Sequence, residues 1–151
     1  MNTKQYKNPT PTVDTIIQKE SKILLIKRKK DPFKNMMALP GGFVNEGETV
    51  EEATKREIRE ETSLEIRLLD ILGVYSDPNR DPRKHIMTTV FVGEIESSKD
   101  VEAIAGDDAS DIVWLDLESI EKHVFGFDHK KIINNYLKWR HRRGTFWSSK
   151  D

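Results

Sequence analysis

The chain has 151 residues, enough for one domain that buries most of its apolar surface. Hydrophobic residues make up 36% and charged residues 34%, and 25 Lys and Arg nearly balance 26 Asp and Glu, so no bulk attraction to nucleic acid or an acidic membrane is expected. The absence of cysteine excludes disulfides, thiolate nucleophiles and Cys-ligated zinc; with no signal-like start and no membrane-length apolar run, a soluble cytoplasmic protein is predicted.

In chain order, "TVDTIIQ" and "KILLIKRK" are apolar, β-branched runs separated by the polar "KES", and they predict a hairpin. "MMALPGG" predicts a short strand that breaks at Pro40, Gly41 and Gly42, followed by a loop to about Glu48. A helix follows from about Val50 to Thr62, opened by the capping-box pair Thr49 and Glu52. "EIRLLDILGVYS" and "IMTTVFVGEI" predict two strands joined by the Pro- and Asp-rich "DPNRDPRKH", and "SDIVWLDL" predicts another. Asp128 is the predicted cap of a last helix whose Ile132, Ile133, Tyr136 and Leu137 share an inner face. Strands on either side of a central helix, closed by a C-terminal helix, predict an α/β sandwich around a mixed sheet. One domain over 1–151 is expected, with the tail from about 144 a candidate for disorder.

The central helix is unusual in its charge. At about 100° per residue, Val50, Ala53 and Ile58 mark its apolar side. Glu57 and Glu61 fall on that side, flanking Val50, and Glu60 lies beside Ala53, whereas Glu51, Glu52, Lys55, Arg59 and Thr62 point outward. Three like charges at this spacing repel by roughly 0.2–0.5 kcal/mol per pair when exposed, and by more when half-buried without a counter-charge. Arg56 alone cannot neutralise all three. A hard divalent cation can, because Mg²⁺ or Mn²⁺ takes oxygen ligands; a salt-bridged structural helix is the competing reading. Gly41 and Gly42 let the backbone approach a ligand closely and offer a carbonyl to the same cation, and Glu48 either holds the loop or completes the cluster.

The stretch Gly42-x5-Glu48-x7-Arg56-Glu57-Ile58-x-Glu60-Glu61-x-Ser63-Leu64 resembles the Nudix box, Gly-x5-Glu-x7-Arg-Glu-apolar-x-Glu-Glu-x-Gly-apolar. Every charged position matches at full spacing. Ser63 departs from it, standing where the family has glycine; a left-handed cap there strains a serine by roughly 1 kcal/mol but touches no proposed ligand. The resemblance implies a Nudix-type α/β/α sandwich with a central mixed sheet, and hydrolysis of a nucleoside diphosphate linked to a further group. It also implies that Arg56 orients the carboxylates and that Glu57, Glu60 and Glu61 hold Mg²⁺ or Mn²⁺. Water would attack a phosphorus while a glutamate of the cluster, or a distant acid, takes its proton. Asp107, Asp108 and Asp111 in "AGDDASD" are the distant candidates, with solvated turn acids as their plainer reading.

"GVYSDPNRDPRKH" and "ALPGGFVNEGE" are similar to the corresponding stretches of Nudix proteins assigned as ADP-ribose pyrophosphatases. That likeness makes Arg80, Arg83, Lys84 and His85 candidate contacts to a diphosphate and its ribose, Arg28 a candidate phosphate contact, and Tyr75 a candidate for stacking on adenine. A proline-stiffened loop, solvated cations and a strand-core tyrosine are the structural alternatives. The implied reaction converts ADP-ribose to AMP and ribose 5-phosphate with Mg²⁺, Mn²⁺ being the possible substitute. A (d)NTP pyrophosphohydrolase and a non-catalytic ADP-ribose-binding module are the rivals; sensors of the latter kind typically carry a DNA-binding domain and a damaged box. The expected partner is a nucleoside diphosphate-linked small molecule, with no nucleic acid and no membrane. The basic "KWRHRRG" suits a helix C-terminus, and Trp139 and Trp147 are candidates for core or for a homodimer contact.

Overall fold

The computed structural model describes residues 5–96 and 109–151. Its elements run β1 (Thr10–Lys19), β2 (Lys22–Arg28), β3 (Met37–Ala38), β4 (Gly41–Phe43), α1 (Val50–Thr62), β5 (Ile66–Tyr75), β6 (Ile86–Ile95), β7 (Ala109–Asp116), a 3-10 turn (Leu117–Lys122), α2 (His129–Arg142) and β8 (Phe146–Trp147). β1 is the central strand. It lies parallel to β6 from Thr10 beside Ile86 to Ile17 beside Gly93. On its other edge it pairs with β4 at the start and with β2 at the end.

The predicted hairpin is therefore local. Gln18 faces Ile23 and Lys19 faces Lys22 around Glu20, whose φ is 56°. The strands then part, and β2 takes β7 and β3 as its neighbours. Runs such as "ILLI" are apolar without alternation because the sheet is covered on both sides, so both faces of a strand must be buried. Ile16, Ile23 and Leu25 join a core with Ile132, Ile133 and Tyr136 of α2. Ile17 and Leu24 face the other way, against Ile58 of α1, Leu64 and Ile66. One helix on each face of a mixed sheet gives the α/β/α sandwich expected from the order of elements.

α1 begins as predicted. The Thr49 side chain accepts from the Glu52 N–H while Glu52 accepts from the Thr49 N–H, a reciprocal cap. Ser63 ends the helix in the left-handed conformation, φ 61°, and its N–H bonds to the Arg59 carbonyl. Thr62 is not on the outward side, where the helical wheel put it. It is fully buried because its hydroxyl is satisfied locally, donating to the Ile58 carbonyl and accepting the Leu64 N–H.

Four other expectations change. Pro40-Gly41-Gly42 does not end in a loop: Gly41–Phe43 pairs with Thr12, Val13 and Asp14 as β4. Asp128 stands at the N-cap position of α2 without a side-chain cap bond, since Arg80 takes both its oxygens. On α2, Trp139 is buried where Leu137 is only half-buried. The tail folds back as β8 along β5, with Phe146 buried, because Gly73 leaves room for the Phe146 backbone where a Cβ would lie 1.9 Å from its carbonyl oxygen.

Candidate functional site

β4 carries the "GG" onto the acidic face of α1. A Cβ on Gly42 would lie 2.4 Å from the Glu57 carboxyl carbon, and one on Gly41 would lie 2.1 Å from the Val13 carbonyl oxygen. Both glycines serve space rather than backbone conformation, since neither has a positive φ: a Cβ would displace the Glu57 side chain at Gly42 and meet backbone at Gly41. The Gly41 N–H donates to Glu61 Oε2 at 3.2 Å. Two helical carboxylates are thus pressed against a bare strand, one of them, Glu61, only 8% exposed.

Arg56 organises the charge. Its guanidinium donates to both Glu48 oxygens at 3.0 and 2.6 Å, to Glu57 at 2.8 Å, to Glu60 at 3.2 Å and to the Phe43 carbonyl at 2.9 Å. The hydrogen bond to Glu48, with help from Glu57, raises the Arg56 pKa. Reciprocally, Arg56 and the Asn45 N–H lower the Glu48 carboxyl to about 2. Glu60 departs from its expected inward position, with 58% of its side chain exposed. The buried arc of α1 is Ala53, Thr54, Ile58, Glu61 and Thr62, which leaves Glu60 on the rim beside Arg56.

Glu57, Glu61, Gly41 and Gly42 line a cavity of about 460 Å³ together with Arg28, Arg80 and Arg83. Arg28 and Arg83 both lie against the Phe127 ring, at 4.9 and 6.0 Å from its centroid. Burial, then the neighbouring Arg83, lowers the Arg28 pKa. The Arg28 Nε–H is tied to the Pro32 carbonyl at 2.6 Å. Arg83 holds Asp81 bidentately, and although burial opposes it, that pairing keeps the Asp81 carboxyl below its ordinary range.

The same cavity is lined by a network that sequence reasoning missed. Asp14 accepts from Thr88 at 2.7 Å, with Arg80 Nη2 at 3.9 Å and His129 Nε2 at 3.7 Å. His129 Nδ1 accepts the Leu39 N–H, which assigns the ring proton to Nε2, toward Asp14. An aspartate in the middle of an apolar, β-branched strand was the available signal, because a buried carboxylate requires partners.

The other candidates fall in different places. Arg80 is buried and clamps Asp128 at 3.0 and 2.7 Å; burial works against its charge, but that pair outweighs it and the pKa is raised. Tyr75 is core and not a stacking surface: it is fully buried, its hydroxyl accepts from Asn135 at 2.8 Å, and burial pushes its pKa up to about 12. His85 bonds to the Ser76 carbonyl, and Lys84 lies over Phe43. Asp111 is exposed on β7 opposite Lys27 and does not line the cavity; Asp107 and Asp108 lie outside the described residues. Among the described residues no helix is long and apolar enough to cross a membrane.

Carboxylates, bare backbone and guanidiniums in one cavity of an α/β/α sandwich define a site that handles an anion together with a hard cation. The model of the NUDIX domain matches residues 8–136, and the chain belongs to that family of hydrolases, which work with divalent cations. It is 51% identical over 135 residues to an ADP-ribose pyrophosphatase of Methanocaldococcus jannaschii, covering 89% of this chain and 77% of that one. A bifunctional NMN adenylyltransferase/ADP ribose pyrophosphatase from Francisella tularensis, solved with AMP and a manganese ion, has a TM-score of 0.76 at 31% identity. The match takes in 88% of this chain and 42% of that one. The NUDIX domain of Shewanella oneidensis NrtR, solved with ADP ribose, has a TM-score of 0.76 at 26% identity, over 88% of this chain and 89% of that one.

Proposed function

We propose that the protein hydrolyses ADP-ribose to AMP and ribose 5-phosphate with Mg²⁺, Mn²⁺ serving as a substitute. The observation that carries this is the juxtaposition of Gly41 and Gly42 on the Glu57 and Glu61 carboxylates, in one cavity with Arg28 and Arg83. The donor set fits a hard cation: it is all oxygen, and the missing Cβ of Gly42 leaves the Glu57 carboxylate accessible along the strand. Among the described residues no three His, Asp or Glu side chains cage an ion by themselves; an ion held here would take its remaining oxygen ligands from substrate and water.

Glu57 and Glu61 would hold the ion, with Glu60 at the rim. When bound, the cation supplies charge stabilisation for the phosphate oxygens and a more acidic water. Arg56 holds Glu48, Glu57 and Glu60 in register, and the Gly41 N–H orients Glu61. Arg28 and Arg83, in the same cavity, bind the diphosphate. Water oxygen bonds to a phosphorus as the bridging P–O bond breaks, and a carboxylate of the α1 cluster accepts the water proton. A homodimer, with Trp147 as a contact, belongs to this proposal and is tested by the solution mass.

One comparison favours a second reading, a module that binds ADP-ribose without cutting it, because the NrtR domain was solved with that ligand. The complete charge pattern of the box argues for catalysis. A panel of ADP-ribose, NADH, dinucleoside polyphosphates and (d)NTPs, ranked by kcat/KM, separates the possibilities. ADP-ribose is expected to rank first; preference for (d)NTPs points to the sanitising reaction, and no turnover at all points to the module.

A further inference from the structure

A second cavity, about 380 Å³, opens beside the first, and the two share Arg80 and Phe127 as their partition. Resting on the diphosphate reading of the first cavity, we infer that the second is the nucleobase subsite. Part of its lining suits a flat ring: Phe33, Pro82 and Phe127 are apolar, beside the ion-paired Arg80 and Asp128, and the Phe33 and Phe127 rings meet edge to face at 4.7 Å. Both phenylalanines are held in the left-handed region, at φ 62° and 55°, a conformation a bulky residue adopts only when its surroundings enforce it.

The rim suits the polar edge of a base. Asn79 lines the cavity, and its side chain makes no hydrogen bond among the described residues. Its amide offers one donor and one acceptor side by side, the pair that matches the N6 and N7 edge of adenine. Ser148 also lines the cavity; its hydroxyl accepts from the Ser76 and Asp77 N–H groups while its carbonyl takes the Lys131 ammonium. Ser148 lies beyond residues 8–136 matched by the family. The diphosphate lies between Glu57 and Arg28 in one cavity, and the base passes Phe127 into the other.

Asn79→Trp fills the second cavity from an exposed position without disturbing the core. The probes are adenosine, which has a base and no phosphate, and imidodiphosphate, which has the reverse. The variant is expected to raise the KM for ADP-ribose and the inhibition constant of adenosine by about tenfold or more, with imidodiphosphate inhibition kept. Unchanged adenosine inhibition in a folded variant overturns the inference. Wild-type protein photolabelled with 8-azido-ADP-ribose gives an independent reading: adducts within 77–82, 127–131 or at Ser148 support the subsite, and adducts elsewhere exclude it. Failure of wild-type protein to hydrolyse ADP-ribose would instead overturn the functional reading itself, so the two failures are distinct.

Discussion

Alanine at Gly42 and at Gly41 should separate catalysis from folding. In Gly42→Ala the new Cβ falls 2.4 Å from the Glu57 carboxyl carbon, whereas ordinary contact begins at 3.4 Å. The atom it meets is the end of a flexible side chain, so Glu57 retreats and the strand stays. A withdrawal of about 1 Å at a reacting centre costs on the order of a hundredfold in rate. The loss of unfolded-chain entropy offsets the crowding by about 0.4–1 kcal/mol, leaving stability near the wild type. In Gly41→Ala the Cβ falls 2.1 Å from the Val13 carbonyl oxygen and 2.9 Å from the Asp14 Cα, so β1 and β4 must part. That overpacking costs about 1–3 kcal/mol or more. Chemical denaturation and kcat/KM for ADP-ribose, measured on both variants, give the answer. Full activity in Gly42→Ala, or full stability in Gly41→Ala, would refute the placement of β4 on the carboxylates.

Glu61→Gln should lower turnover by about two orders of magnitude or more, and millimolar Mg²⁺ should raise the melting temperature of the wild type but not of a Glu57→Gln, Glu61→Gln double variant. Equal shifts in both would mark a nonspecific ion effect. The Glu48 carboxyl is depressed from 4.5 to about 2 by Arg56, so its contribution to stability is whole above pH 4.5 and is lost as pH falls toward about 2. Acid titration followed by intrinsic fluorescence should show this component in the wild type and not in Glu48→Gln; superimposable curves would discount the ion pair. Tyr75→Phe should cost about 1–3 kcal/mol by orphaning the buried Asn135 amide, with KM for ADP-ribose unchanged. A raised KM at unchanged stability would return that ring to the substrate.

The box and its helix were legible because they are local. Spacing along one helix decides which side chains are neighbours, so Glu57 and Glu61 could be paired on a wheel, and Thr49 with Glu52 announces a cap that forms within four residues. Runs of apolar, β-branched residues likewise told strand from helix, and the order of the elements suggested the sandwich. The errors were of another kind. Thr62 and Glu60 lie at opposite edges of the buried arc, and only the rotation at which α1 docks chose between them.

Asp14, Arg80, Asp128 and His129 are separated by up to 115 positions in the chain and meet through sheet register and the docking of α2. Asp128 has the residue type of a helix cap, yet its oxygens are taken by a guanidinium from a distant loop, because a buried arginine must be paired wherever its partner comes from. Tyr75 has the chemistry to stack on a base, and packing against Asn135 withdrew it. By itself, then, the sequence determined which carboxylates share a helix, how that helix begins and ends, and the family to which the chain belongs. The tertiary structure alone decided which charges are buried and which side chains share each of the two cavities, since those depend on distances that no local periodicity contains.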